Sequence, residues 1–101
     1  MDNTTLIDAT ITSDNTFTES VRIEGYFNVS FSGTFSEGSV VTVQRSIDNS
    51  TWVDVDTFKK PAEDYGFEPE LMWYRIAVKS GALASGDSIV VRLGREFKDR
   101  H

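Results

Sequence analysis

The stretch Phe27-Asn28-Val29-Ser30-Phe31-Ser32-Gly33 alternates large apolar with small polar residues in strict period two. A strand turns successive side chains to opposite faces, so this stretch predicts a β-strand with an aromatic inner face and a polar outer one. Helical spacing is nearly absent from the chain, and the neighbouring segments read the same way. Upstream, Phe17, Val21 and Ile23 share one parity before Gly25, and Ile7, Ala9 and Ile11 alternate with Asp8, Thr10 and Thr12 ahead of a Ser13-Asp14-Asn15 turn.

Downstream, Ser36-Glu37-Gly38 turns the chain into Val40 to Ser46, where Val41 and Val43 face away from Thr42 and Gln44. Asp48-Asn49-Ser50 joins that run to Thr51 to Phe58 as a hairpin, with Val53 and Val55 on one face and Trp52, Asp54 and Asp56 on the solvated one. Lys59-Lys60-Pro61 ends the run, because proline supplies no N–H to a ladder. Ala62 to Glu70 reads as an acidic irregular segment, and the parities of Tyr74, Ile76 and Val78 and of Ile89, Val91 and Leu93 complete the core. The expectation is an all-β chain, an antiparallel β-sandwich of about seven or eight strands, immunoglobulin or fibronectin III-like or jelly-roll-like, with a small barrel also compatible. Residues 1–94 form the one domain, and residues 95–101 are read as a tail with alternating charges.

A chain of 101 residues is one ordinary domain with a small core. The absence of cysteine excludes disulfides, thiolate metal sites and cysteine nucleophiles. Met1 to Thr12 carries neither a basic segment nor the apolar run of a signal peptide, and no stretch reaches membrane-spanning length, so no membrane partner is expected. The sequons at Asn3, Asn28 and Asn49 are accordingly read as ordinary strand and turn residues. A net charge of −6 argues against nucleic acid, whose phosphates need a basic face. The charge is uneven: residues 1–70 hold four basic and thirteen acidic side chains, a balance of −9, and residues 71–101 hold six and three, a balance of +3.

Candidate sites are few. Ser46-Ile-Asp48-Asn-Ser-Thr-Trp52 resembles the Asp-box hairpin of sialidases, Ser-X-Asp-X-Gly-X-Thr-Trp, one residue short and without its glycine. In that motif the carboxylate accepts turn N–H groups and the Trp packs over the hairpin, so Asp48 and Trp52 are expected to staple the turn. Asp54 and Asp56 read as solvated, and Glu63, Asp64, Glu68 and Glu70 lack the cleft that a pair of catalytic carboxylates needs. His101 is the only histidine, and no nucleophile, base and orienting group or phosphate loop can be assembled. No enzymatic activity, cofactor or metal is therefore expected. Tyr26, Trp52 and Trp73 have the parity opposite to the core, which makes them candidates for a protein interface or for stacking on a surface glycan.

The run Val41-Thr-Val-Gln-Arg-Ser-Ile-Asp-Asn-Ser-Thr-Trp52, with Gly66-Phe-Glu-Pro-Glu70, Tyr74-Arg-Ile-Ala-Val-Lys79, Ser85-Gly86 and Val90-Val-Arg-Leu93, resembles small β-sandwich structural proteins of tailed bacteriophages. Bacterial adhesion modules with fibronectin III-like sandwiches share part of the pattern. The resemblance implies a virion component, made in the host cytoplasm: a capsid decoration or cement protein, or a head–tail or tail-fibre adaptor. A carbohydrate-binding module is the alternative from another class. Implied partners are the major capsid or other virion proteins and further copies of the chain, with a trimer seated on a three-fold axis preferred. Tyr26, Trp73, Arg95, Lys98 and Arg100 are the expected interface, and the N-terminal strand and the basic tail the expected arms.

Overall fold

The computed structural model describes residues 2–97, and no helix occurs among them. Seven strands form: β1 (Asp2–Ile11), β2 (Thr16–Phe17), β3 (Val21–Gly33), β4 (Val41–Ser46), β5 (Val53–Phe58), β6 (Ala62–Val78) and β7 (Ile89–Phe97). The all-β antiparallel class read from the sequence holds, with every strand in one hydrogen-bonded sheet of order β1-β7-β3-β6-β4-β5 and the short β2 on β6.

That sheet is bent over on itself. In a straight β3–β6 ribbon, Tyr74, which pairs with Val21, and Phe27, six residues further along β3, would lie about 20 Å apart. Their ring centroids are 5.0 Å apart. In a flat sheet β3 and β5 would be separated by about 14 Å, yet the Phe31 and Phe58 rings meet at 4.7 Å. The bend sits where the register slips, since Ile23 pairs with Met72 but Gly25 pairs with Glu68, leaving Pro69, Glu70 and Leu71 on β6 opposite Glu24 alone. Gly25 takes φ +93°, which an L side chain rarely adopts, and an outsized bulge of this kind sharpens the local twist.

The bend encloses one core, built from the residues whose alternation is clearest: Ile7 and Ile11, Ile23, Val29 and Phe31, Val41 and Val43, Met72, Tyr74, Ile76 and Val78, and Ile89, Val91 and Leu93. Outside it, one end is closed by the loops after β3 and β6. Asp87 accepts hydrogen bonds from the Ser36 N–H (2.5 Å), Ser36 Oγ (2.7 Å) and Ser39 Oγ (2.6 Å), and Ser39 Oγ accepts one from the Ala84 N–H. Those donors hold the Asp87 carboxyl below the usual carboxylate range, Ser39 foremost.

Four expectations need correction. Ala62 to Glu70 is not irregular: it is the first half of the longest strand, with Pro69 placed in the bulge where it owes β3 no N–H. Val53 and Val55 do not enter the core, being 61% and 47% exposed on the edge strand. A second register slip leaves Val55 as the extra residue between the Gln44–Asp54 and Val43–Asp56 pairs, so the two aspartates fall on opposite faces, while Val53 keeps the side of its partner Arg45 at the exposed end of the edge strand. The expected arms are tied to each other, for Arg95, Glu96 and Phe97 continue β7 and pair with Thr4, Asn3 and Asp2.

Two glycines test this geometry by different mechanisms. At Gly25 nothing lies within 4 Å of an added Cβ, so Gly25→Ala should cost about 1 kcal/mol through conformation alone. At Gly66 an added Cβ would stand 2.4 Å from Phe27 Cζ, and that ring is held against Tyr74, so Gly66→Ala should cost about 1–3 kcal/mol. Urea unfolding is expected to show Phe27→Leu recovering part of the loss at Gly66 and none at Gly25.

Candidate functional site

Asp48 is placed to hold its turn. Its Oδ1 accepts hydrogen bonds from the N–H groups of Thr51 (2.8 Å) and Ser50 (2.9 Å), while Ser46 Oγ lies 3.0 Å away. The Thr51 and Ser50 donors hold the carboxyl below its ordinary range, and Asn49, between Asp48 and Ser50, takes φ +62°, as asparagine tolerates. Trp52 follows this turn directly. Its ring lies under the Arg75 guanidinium at 4.2 Å, and the Phe17 ring meets the same guanidinium at 4.4 Å.

That stack covers the outer face of β4. Arg75 Nε donates to Gln44 Oε1 (2.7 Å), Gln44 Nε2 donates to Asp54 Oδ1 (2.9 Å), and Lys79 donates to the other Asp54 oxygen. Lys79 and then Gln44 hold the Asp54 carboxyl low, and burial lowers the Arg75 guanidinium. Thr42 and Gln44, on the polar face of β4, are thus buried, as Val41 and Val43 are on the other.

The acidic group is divided between the two faces of β6. Glu68, 1% exposed, sits at the bend on the inner side. Arg45 grips it with Nε at 2.6 Å and Nη2 at 2.8 Å, Tyr74 Oη donates at 2.7 Å, and the Glu70 N–H donates at 3.1 Å. Four donors compensate the loss of water, so the Glu68 carboxyl is held at about 2, Arg45 foremost. In turn burial and the Glu68 carboxylate push the Tyr74 hydroxyl up, and the Glu68 hydrogen bond raises Arg45. Glu63 lies on the outer face opposite Ser30, and Asp64 pairs with Val29 further along β6. The alternation Val41, Val43, Arg45 carried a signal of this knot, because an inward arginine needs an inward acid.

The expected interface residues are scattered. Tyr26 is half exposed with its ring on Phe67 at 4.8 Å, Trp73 lies under the Arg22 guanidinium at 4.7 Å, and Arg95 stands in β7 opposite Phe27. Lys98, Arg100 and His101 lie outside the described residues.

What the structure gathers instead is one flank. β4 reaches β6 only from Trp73 to Ala77, so along Ala62 to Glu68 that edge of β6 has no ladder partner among the described residues, and β5 is the edge strand facing it. Between them opens a cleft of about 200 Å³ lined by Phe27, Val55, Phe58, Gly66 and Phe67, with Asp56 on one wall and Asp64 on the other. Val55 continues it into a second groove with Ile47, Val53 and Met72. Ile47 and Tyr65 on this flank are 75% and 72% exposed. No protein-family model matches the chain, and no curated protein and no solved structure is significantly similar to it.

Two variants test the buried polar groups. Glu68→Gln should destabilise by about 2–4 kcal/mol, because Arg45 loses its counter-charge. A folded-state carboxyl held at about 2 contributes in full above its ordinary 4.5 and loses that contribution as pH falls through about 2, so the stability gap between wild type and variant should narrow across that window. Trp52→Ala should cost about 2 kcal/mol, and in a double-mutant cycle with Arg75→Met the double variant should lose less than the sum of the two single losses, as expected for rings and guanidinium that share one stack.

Proposed function

We propose that this protein is a non-enzymatic virion structural protein, a capsid decoration or cement protein that docks on the capsid lattice and stabilises it. The observation that carries the reading is the apolar flank along β5, the turn before it and the first half of β6, where Ile47, Val53, Val55, Tyr65 and Phe67 are each about half exposed or more. A contiguous apolar strip beside an unpaired strand edge is stabilised by a protein partner and is a hazard without one. Braced loops and a knotted core give that flank a rigid backing, which lowers the entropic cost of docking. The resemblance to phage β-sandwich proteins supplies the location. Symmetric copies around a capsid axis, a trimer in the preferred case, would present the flank repeatedly to the same lattice surface.

A head–tail or tail-fibre adaptor would use the same flank at another place in the particle. Sugar stacking draws less support, since guanidinium groups already occupy a face of Trp52 and of Trp73. The test is cryo-electron microscopy of the source particle together with attachment assays on the purified chain. Density on the capsid lattice is expected, and Val55→Ser with Phe67→Ser should abolish attachment while the melting temperature stays near wild type, as exposed sites allow. Density at the neck or tail would favour the adaptor, and a dispersed monomer absent from capsid and tail alike would overturn the virion reading.

A further inference from the structure

We propose that the cleft between β5 and the first half of β6 receives a lysine or arginine side chain carried on an extended segment of a partner protein, laid along the free edge of β5. The inference rests on reading this flank as a docking surface and names what docks there. The cleft's walls are aromatic and aliphatic, from Phe27, Val55, Phe58 and Phe67, and its two charged lining residues are both acidic. Asp56 enters from β5 because the register slip turns it away from Asp54, and Asp64 enters from β6 opposite Val29. Each carboxylate accepts one hydrogen bond through Oδ1 from the next residue's N–H, 2.9 Å at Thr57 and 2.8 Å at Tyr65. Neither is in an ion pair with a described residue.

An apolar slot ending in carboxylates fits a long basic side chain, whose methylene stem lies on the apolar wall while its charged head reaches the acids. The exposed Tyr65 and Phe67 rings at the mouth add a cation–π contribution. The N–H and C=O groups on the open side of β5 offer a ladder to the segment bearing that side chain, the usual physics of strand addition. The same charges argue against a second copy of this chain as occupant. Antiparallel pairing of two β5 edges would set Asp54 and Asp56 of one copy against those of the other, and like charges placed opposite each other are destabilising.

The test is an NMR titration of the intact, isotope-labelled protein with a short capped peptide of alternating valine and lysine, against a twin with glutamate in place of lysine. The lysine peptide is expected to shift amides of β5 and residues 62–67 and to bind more weakly as salt is raised; Asp56→Asn with Asp64→Asn should weaken it roughly tenfold. Equal binding of the glutamate twin, shifts confined to another face, unchanged affinity in the Asn variant, or self-association through β5 without peptide would each overturn the inference. Particle attachment separates it from the reading beneath it. Attachment kept by Val55→Ser with Phe67→Ser sinks the docking surface itself; attachment lost there but kept by Asp56→Asn with Asp64→Asn sinks only the basic occupant.

Discussion

Glu68 stands at the point where the longest ribbon of the protein turns back, and its carboxylate ties the turn together. Arg45 reaches it from β4, Tyr74 from further along β6, and the Glu70 N–H from within the bulge. A charge this deeply buried is tolerated only when each lone pair is met, and here the groups that meet it come from strands that the bend itself brings together. The bend and the knot are therefore one structure. With the ribbon straight, Glu68 would have no Tyr74 beside it, and the Phe27–Tyr74 contact that seats Phe27 over Gly66 would be lost as well.

The open flank follows from the same constraint. Because β6 continues through the bend, β4 and β5 accompany only its second half, and the first half is left with β3 on one side and a cleft on the other. The opposite sheet edge is treated differently. There β1 pairs with β7 from Asp2 to Ile11 and commits Ile7 and Ile11 to the core. The two edges of one sheet thus carry different surfaces, and the apolar residues exposed at β5 and β6 are concentrated at the edge beside the cleft.

Charge is distributed to match. The basic side chains Arg45, Arg75 and Lys79 are consumed by internal partners, Glu68, the Phe17–Arg75–Trp52 stack and Asp54. Asp56 and Asp64 have no such partner among the described residues, so those residues leave the negative charge of the cleft without a counter-charge. This is the property that makes the flank selective as well as sticky, since apolar area alone does not distinguish one protein surface from another.

The sequence by itself determined the strand class, the parity of the core at Phe27 to Phe31, Tyr74 to Val78 and Ile89 to Leu93, and the role of Asp48 in its turn. These are properties of neighbours two or three residues apart, where backbone pleat and side-chain reach leave one solution. Only the tertiary structure decided that Ala62 to Glu70 is strand, that Val55 stays outside, that Asp54 and Asp56 part company, and that Arg95 to Phe97 pair with the N-terminus. Each depends on a register slip or on a partner far along the chain, such as Arg45 and Glu68, 23 residues apart. A slip reverses every parity beyond it without altering the alternation that is read from the sequence, which is why the core was legible and the open flank was not.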